Sequence, residues 1–129
     1  MDLAVEVYRL SAGFPKAEAY GLVAQMRSAA VSVPSNIAEG HGRDSPADFA
    51  RFLLIARGSL REIETQIDLA HRLDFLDDDA TTRLIGLCNQ TGKVLTGLIN
   101  APSLRTRPSE RPRTTRAPSR NPKPETRNP

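Results

Sequence analysis

The groups able to do chemistry in this 129-residue chain are few: two histidines, His41 and His71, and one cysteine, Cys88. They stand far apart, and neither H-E-x-x-H nor C-x-x-C spacing occurs, so no metal site and no cofactor is expected. Ser11, Ser28, Ser32, Ser35 and Ser59 supply hydroxyls. None sits in a G-x-S-x-G elbow, and the histidines have no evident acidic orienter, which argues against nucleophilic catalysis. Glu62 and Glu64, and the run Asp77-Asp78-Asp79, read better as a solvated helix face and a helix start than as paired proton-transfer acids. Gly40-His41-Gly42 is too short for a dinucleotide fingerprint and follows no strand pattern. No catalytic residue is assigned, and the chain is read as non-enzymatic.

The densest polar constellation is Ser32-Val33-Pro34-Ser35-Asn36-Ile37-Ala38-Glu39-Gly40. Asn36 and Glu39 stand one helical turn apart beside a proline that removes a backbone donor. Two readings stay open for this pair. Asn36 and Glu39 either satisfy groups freed by Pro34 or pair with an arginine of the third helix, or else they contact a ligand.

The elements that must position these residues are helical. Leu3, Val7 and Leu10 recur at helical spacing and predict a first helix over about residues 2–12, closed before Pro15. Leu22/Val23, Met26, Ala30, Val33 and Ile37 predict a second over 16–40, kinked near Pro34 and closed by Gly40-His41-Gly42. Ser45-Pro46-Ala47-Asp48 combines a capping hydroxyl, a first-turn proline and an acid at the positive end of the helix dipole. It opens a third helix over 46–73, with Phe49, Phe52/Leu53, Ala56, Leu60, Ile63, Ile67 and Ala70 on its stripe. Ala80, Leu84, Leu87, Thr91, Val94 and Leu98 mark a fourth over 78–100, in which Gly86, Gly92 and Gly97 allow a neighbouring helix to come close. Four helices joined by short turns predict an all-α, antiparallel up-down-up-down four-helix bundle over residues 1–102.

Residues 103–129 hold six prolines, eight basic residues and one aliphatic side chain larger than alanine, Leu104. Such a segment cannot bury a core and reads as a disordered Pro/Arg-rich C-terminal tail. It also carries the basic charge. Residues 1–102 have 10 Lys and Arg against 13 Asp and Glu, whereas 103–129 have 8 against 2. With no Trp and only six aromatic residues, the core must be aliphatic. A single cysteine excludes an intrachain disulfide and fits a reducing compartment. No signal peptide and no membrane span are expected, and the reading is cytoplasmic.

Taken together, Gly13-Phe14-Pro15-Lys16, Tyr20-Gly21-Leu22, Gln25-Met26-Arg27, Ser32 to Gly40, and Arg51-Phe52-Leu53 with Ala56 to Gln66 form an ordered set of blocks. This set resembles the four-helix-bundle proteins named after 23S rRNA intervening sequences, over roughly residues 1–100. The resemblance implies a homopentameric assembly and kinship with the accessory variability determinant of diversity-generating retroelements, which binds nucleic acid and a reverse transcriptase. It points to no enzyme. Against that pattern the first helix lacks roughly a dozen upstream residues, at 1.5 Å per residue about half a partner's length. Arg27-Ser28 stands where two arginines are usual, and the tail is an addition.

Two functions follow as expectations. One is a homo-oligomeric accessory protein that associates with RNA or DNA nonspecifically, with Arg27, Arg43, Arg51, Arg57 and Arg61 on phosphates. The other is a scaffold recruiting a protein partner such as a polymerase without touching nucleic acid. A small hydrolase or nuclease lacks the acid cluster it would need.

Overall fold

A computed structural model describes residues 1–101; the predicted disordered tail lies outside the described residues. Four α-helices follow in order: α1 Asp2–Ser11, α2 Ala24–His41, α3 Pro46–Arg72 and α4 Asp78–Ile99. No strand occurs among the described residues. Each helix packs antiparallel on its neighbours in the chain, and α4 returns against α1, giving the up-down-up-down four-helix bundle. α1 has 10 residues against 27 in α3.

The α2–α3 turn is built as its residue types dictate. Ser45 Oγ accepts from the Asp48 amide at 3.0 Å, Pro46 occupies the first helical position, and Asp48 faces the helix N-terminus. At the far end of α3, Asp74 takes the left-handed conformation at φ 65°. There the Phe75 amide donates to the Ala70 carbonyl and the Asp74 amide to the His71 carbonyl, a Schellman closure with aspartate where glycine is usual. Asp77 then caps α4, its carboxylate accepting from the Ala80 amide at 2.7 Å, while His71 Nε2 meets Asp78 Oδ1 at 2.7 Å across the turn.

Helix α2 departs from the predicted start at residue 16. Lys16–Glu18 is a short 3₁₀ turn and Ala19–Val23 a π turn, so regular α-helix begins only at Ala24. Pro15 sets the beginning, and Gly21 weakens the register that would let i→i+4 bonds run through. Beyond it, α2 stays one helix through Pro34 to His41.

The core is aliphatic and lies on the predicted stripes of α2 and α3: Met26, Ala30, Val33, Leu53, Ala56, Ile63, Ile67 and Ala70 are all sealed from solvent. In α4 the predicted Ala80, Leu84, Leu87 and Leu98 do pack on the core, and the departure is at Val94, whose place Leu95 takes. Leu84, Cys88 and Leu95 are the buried positions, whereas Val94 is 56% exposed. Close helix approach also falls elsewhere than predicted. A methyl on Gly40 would stand 2.7 Å from Phe49 Cδ1 and 3.1 Å from Phe52 Cβ, so it is this glycine, inside α2, that lets α3 cross. Of the α4 glycines only Gly92 meets a neighbour, Leu60, and Gly86 and Gly97 face open space.

One acid enters the core margin. Glu6 on α1 is 8% exposed. Arg9 Nη1 lies 2.8 Å from one of its oxygens. Arg83 Nε of α4 lies 2.9 Å from the other, an ion pair without the alignment of a hydrogen bond. This contact ties the short α1 to α4.

Candidate nucleic-acid interface

The five arginines proposed for phosphate contacts separate into two kinds of place. Arg27 is half-buried in the α1–α2 contact: Nε donates to Ser11 Oγ at 2.9 Å, Nη2 donates to the Tyr8 carbonyl at 3.0 Å, and the guanidinium covers the Tyr8 ring. The final carbonyls of a helix have no intrahelical donor, and Arg27 supplies one at the negative end of the α1 dipole. It is an anchor for α1.

Of the other four, Arg43 lies in the turn before α3, and Arg51, Arg57 and Arg61 lie on α3 from its second turn to just past its middle. Arg43 and Arg51 both place their guanidinium carbons over the Phe52 ring, at 4.9 and 4.5 Å from its centre. Cation–π contact holds them splayed along the surface. Arg43 also pairs with Glu39 at 2.8 Å, and Arg51 stands 3.8 Å from Asp48. Farther along α3, Arg61 lies 3.9 Å from Glu64, and Arg57 makes no ion pair among the described residues.

Arg57 and Arg61 form one wall of an open groove of about 650 Å³ between α3 and α4. Its other wall brings Asn89 and Lys93, which the sequence pattern did not single out. The signal available was the polar i, i+4 pair Asn89/Lys93 flanking Cys88 and Gly92. It has meaning only once α4 is known to pack beside Arg57. Leu60, Cys88 and Gly92 form the floor. Burial, with a smaller push from Glu64, raises the Cys88 thiol from 9.0 to about 12, which keeps it protonated and inert.

Asn36 and Glu39 part company. Asn36 Nδ2 donates to the Ser32 carbonyl at 2.8 Å and to Ser32 Oγ at 2.9 Å, and Ser32 Oγ lies 2.8 Å from Ser59 Oγ on α3. The chain of polar atoms joins α2 to α3 at mid-bundle. The carbonyl that Pro34 leaves without its donor is that of Ala30, four residues back, so Asn36 serves a different group. Glu39 is exposed and pairs with Arg43 in the turn. Ser59, read from the sequence only as a possible nucleophile, is the α3 half of this crossing.

Among the described residues no three His, Cys, Asp or Glu side chains group as metal ligands would, and no helix is long and apolar enough to cross a membrane.

Comparison with known proteins agrees with this architecture. A search of curated proteins finds no match. Among solved structures, a crystal structure of a protein with unknown function from the S23 ribosomal protein family of Bacteroides thetaiotaomicron VPI-5482 superposes with a TM-score of 0.69 at 21% identity, covering 78% of this chain and 94% of that chain. That likeness shows a shared fold. The sequence pattern described as 23S rRNA-intervening sequence protein matches residues 1–97, which spans all four helices but the last residues of α4. By that match the chain belongs to the 23S rRNA-intervening sequence protein family.

Proposed function

We propose that this protein is a non-enzymatic, homo-oligomeric, cytoplasmic accessory protein that associates with RNA or DNA without sequence specificity. The observation that carries the reading is the placing of Arg57 and Arg61 of α3 opposite Lys93 across the groove, with Arg43 and Arg51 on the Phe52 ring nearer the start of α3. The acidic excess of residues 1–102 is the charge that stands against it, and part of it is local, since Glu39, Asp48 and Glu64 lie beside three of these arginines. Asp74 and Asp77–Asp79 lie beyond the other end of α3, more than 20 residues or roughly 30 Å from Arg51 at 1.5 Å per residue. Exposed charges are screened over about 8 Å at physiological salt. Of the five cations, those without an acidic partner among the described residues are Arg57 and Lys93, and the reading rests on these two.

Reversing Arg51 and Arg57 together to Glu removes two surface cations that no buried group depends on. The variant keeps its thermal stability and loses most RNA and DNA affinity at low salt, measured by fluorescence anisotropy. Unchanged affinity contradicts the interface.

The scaffold reading has one observation of its own. Leu54, Ile55 and Leu69 on α3 and Leu73 at its C-cap are each more than 40% exposed, the kind of aliphatic surface a protein partner covers. A salt-independent complex with a protein, in the absence of any nucleic-acid affinity, supports this second reading over the first.

A further inference from the structure

We infer that the groove between α3 and α4 is a subsite for a nucleotide unit: a phosphate held by Arg57, Arg61 and Lys93, and a base laid on the floor of Leu60, Cys88 and Gly92. The inference deepens the nucleic-acid reading when the nucleotide belongs to a strand. It stands apart from that reading when the nucleotide is free, since the groove chemistry is the same.

Three features of the groove converge on this ligand class. The first is charge. Of the four ionisable side chains at the rim, three are cationic, and Arg57 and Lys93 make no ion pair among the described residues. Only Glu64 opposes them, at 3.9 Å from Arg61. A phosphate in this place completes a set of charges that the protein leaves open.

The second is the floor. Leu60 and Cys88 lie just beneath it, at most 3% exposed, so the surface a ring meets is chiefly the backbone of Gly92 and Gly97. Gly92 exposes bare backbone beside them, with a would-be methyl 3.6 Å from Leu60 Cδ2. A floor of this kind suits a flat ring and offers nothing to a bare anion. Cys88 takes no chemical part, because its thiol stays neutral.

The third is the edge. Asn89 carries both a donor and an acceptor and lies one helical turn before Lys93, on the wall facing Arg57 and Arg61. An amide there can pair with the polar edge of any base, which suits recognition of nucleotides without strong preference among them. The volume of about 650 Å³ falls in the range of small-ligand sites.

The groove separates from a merely basic surface through Gly92. A Gly92→Leu substitution keeps every charge, improves helix propensity and fills the floor, whereas Lys93→Gln removes one cation and leaves the floor open. The test uses the full chain, adenosine 5′-monophosphate, inorganic phosphate and a fluorescein-labelled single-stranded oligouridylate. Thermal melts establish that both variants stay folded. The expected result is that the monophosphate shifts the amide resonances of Leu60, Cys88, Asn89 and Gly92 in wild type and not in Gly92→Leu, or that Gly92→Leu weakens oligouridylate about tenfold. The first outcome marks the free nucleotide as the source and the second the strand. Lys93→Gln weakens whichever ligand binds. If the wild type binds no oligouridylate but the monophosphate still shifts these resonances, the strand reading falls and the subsite stands. Equal shifts from inorganic phosphate alone, or strand binding equal in Gly92→Leu and wild type with no monophosphate shift, overturn the inference.

Discussion

Cys88 and Gly40 show how much a single side chain, or its absence, settles in this molecule. The thiol of Cys88 is raised to about 12 by burial, so in the folded state it holds its proton where an unfolded thiol has lost it. Its contribution to stability is complete below about pH 9 and declines as pH rises from 9 toward 12, because the unfolded chain then binds fewer protons. Denaturant titrations at pH 7 and pH 10 should show the decline, and a Cys88→Ala variant should lack that part of it. Gly40 is the opposite case, a place where no side chain fits. Gly40→Ala puts a methyl 2.7 Å from Phe49 and 3.1 Å from the Cβ of Phe52. Phe49 can turn aside, but the Phe52 Cβ moves only with the α3 backbone. The substitution should cost about 1–3 kcal/mol in equilibrium unfolding despite alanine's better helix propensity. The sequence marked Gly40 as a helix end; its use as a crossing point depends on phenylalanines 9 and 12 residues away.

At the scale of elements, what could be read in the sequence was what depends on neighbours in the chain. Ser45-Pro46-Ala47-Asp48 opens α3 through contacts within four residues, and the structure uses each as the residue types imply. The stripes of α2 and α3 were legible because a buried helix face repeats its apolar residues with the helical period. The slow start of α2 over Lys16–Val23 and the burial of Cys88 and Leu95 in place of Val94 were not: the first is a local break after Pro15 that apolar periodicity does not show, and the second answers to packing across the bundle. The same limit hid the work of Arg27, whose partners Tyr8 and Ser11 belong to another helix. Arg27→Met should cost about 1–3 kcal/mol, from a part-buried charge-assisted hydrogen bond and a stacked ring, and should speed hydrogen exchange in α1 before the other helices. Asn36 and Glu39 should separate on the same assay. Asn36→Ala breaks the crossing through Ser32 to Ser59 and costs about 1 kcal/mol, while Glu39→Ala removes an exposed i,i+4 ion pair and costs less than about 0.5 kcal/mol.

For the whole molecule, the proposed interface turns on where the charges stand and not on their sum. Residues 1–102 are acidic in sum, yet the fold sends the acids of the α3–α4 turn to one end, sets Arg43 and Arg51 toward the other, and brings Lys93 across the groove from Arg57 and Arg61. Four of these five cations were candidates from sequence, three of them on α3, where positions can be placed by counting. Lys93 and Asn89 became visible only when α4 was laid against α3. The chain also carries eight basic residues after position 102, and these could bind a polyanion with no help from the bundle. Telling the two sources apart decides whether the fold itself has the function.

The most direct measurement is RNA and DNA binding by fluorescence anisotropy across a salt series, on the full chain and on a version ending at Ala101, with oligomeric mass recorded alongside. The account predicts that the shorter chain still binds as an oligomer, with affinity falling steeply as salt rises. It also predicts that Arg57→Glu flattens the dependence of log affinity on log salt by about 0.7 to 0.9 for each phosphate that the variant no longer neutralises. Binding that disappears with residues 102–129, or that is indifferent to Arg57, would contradict it.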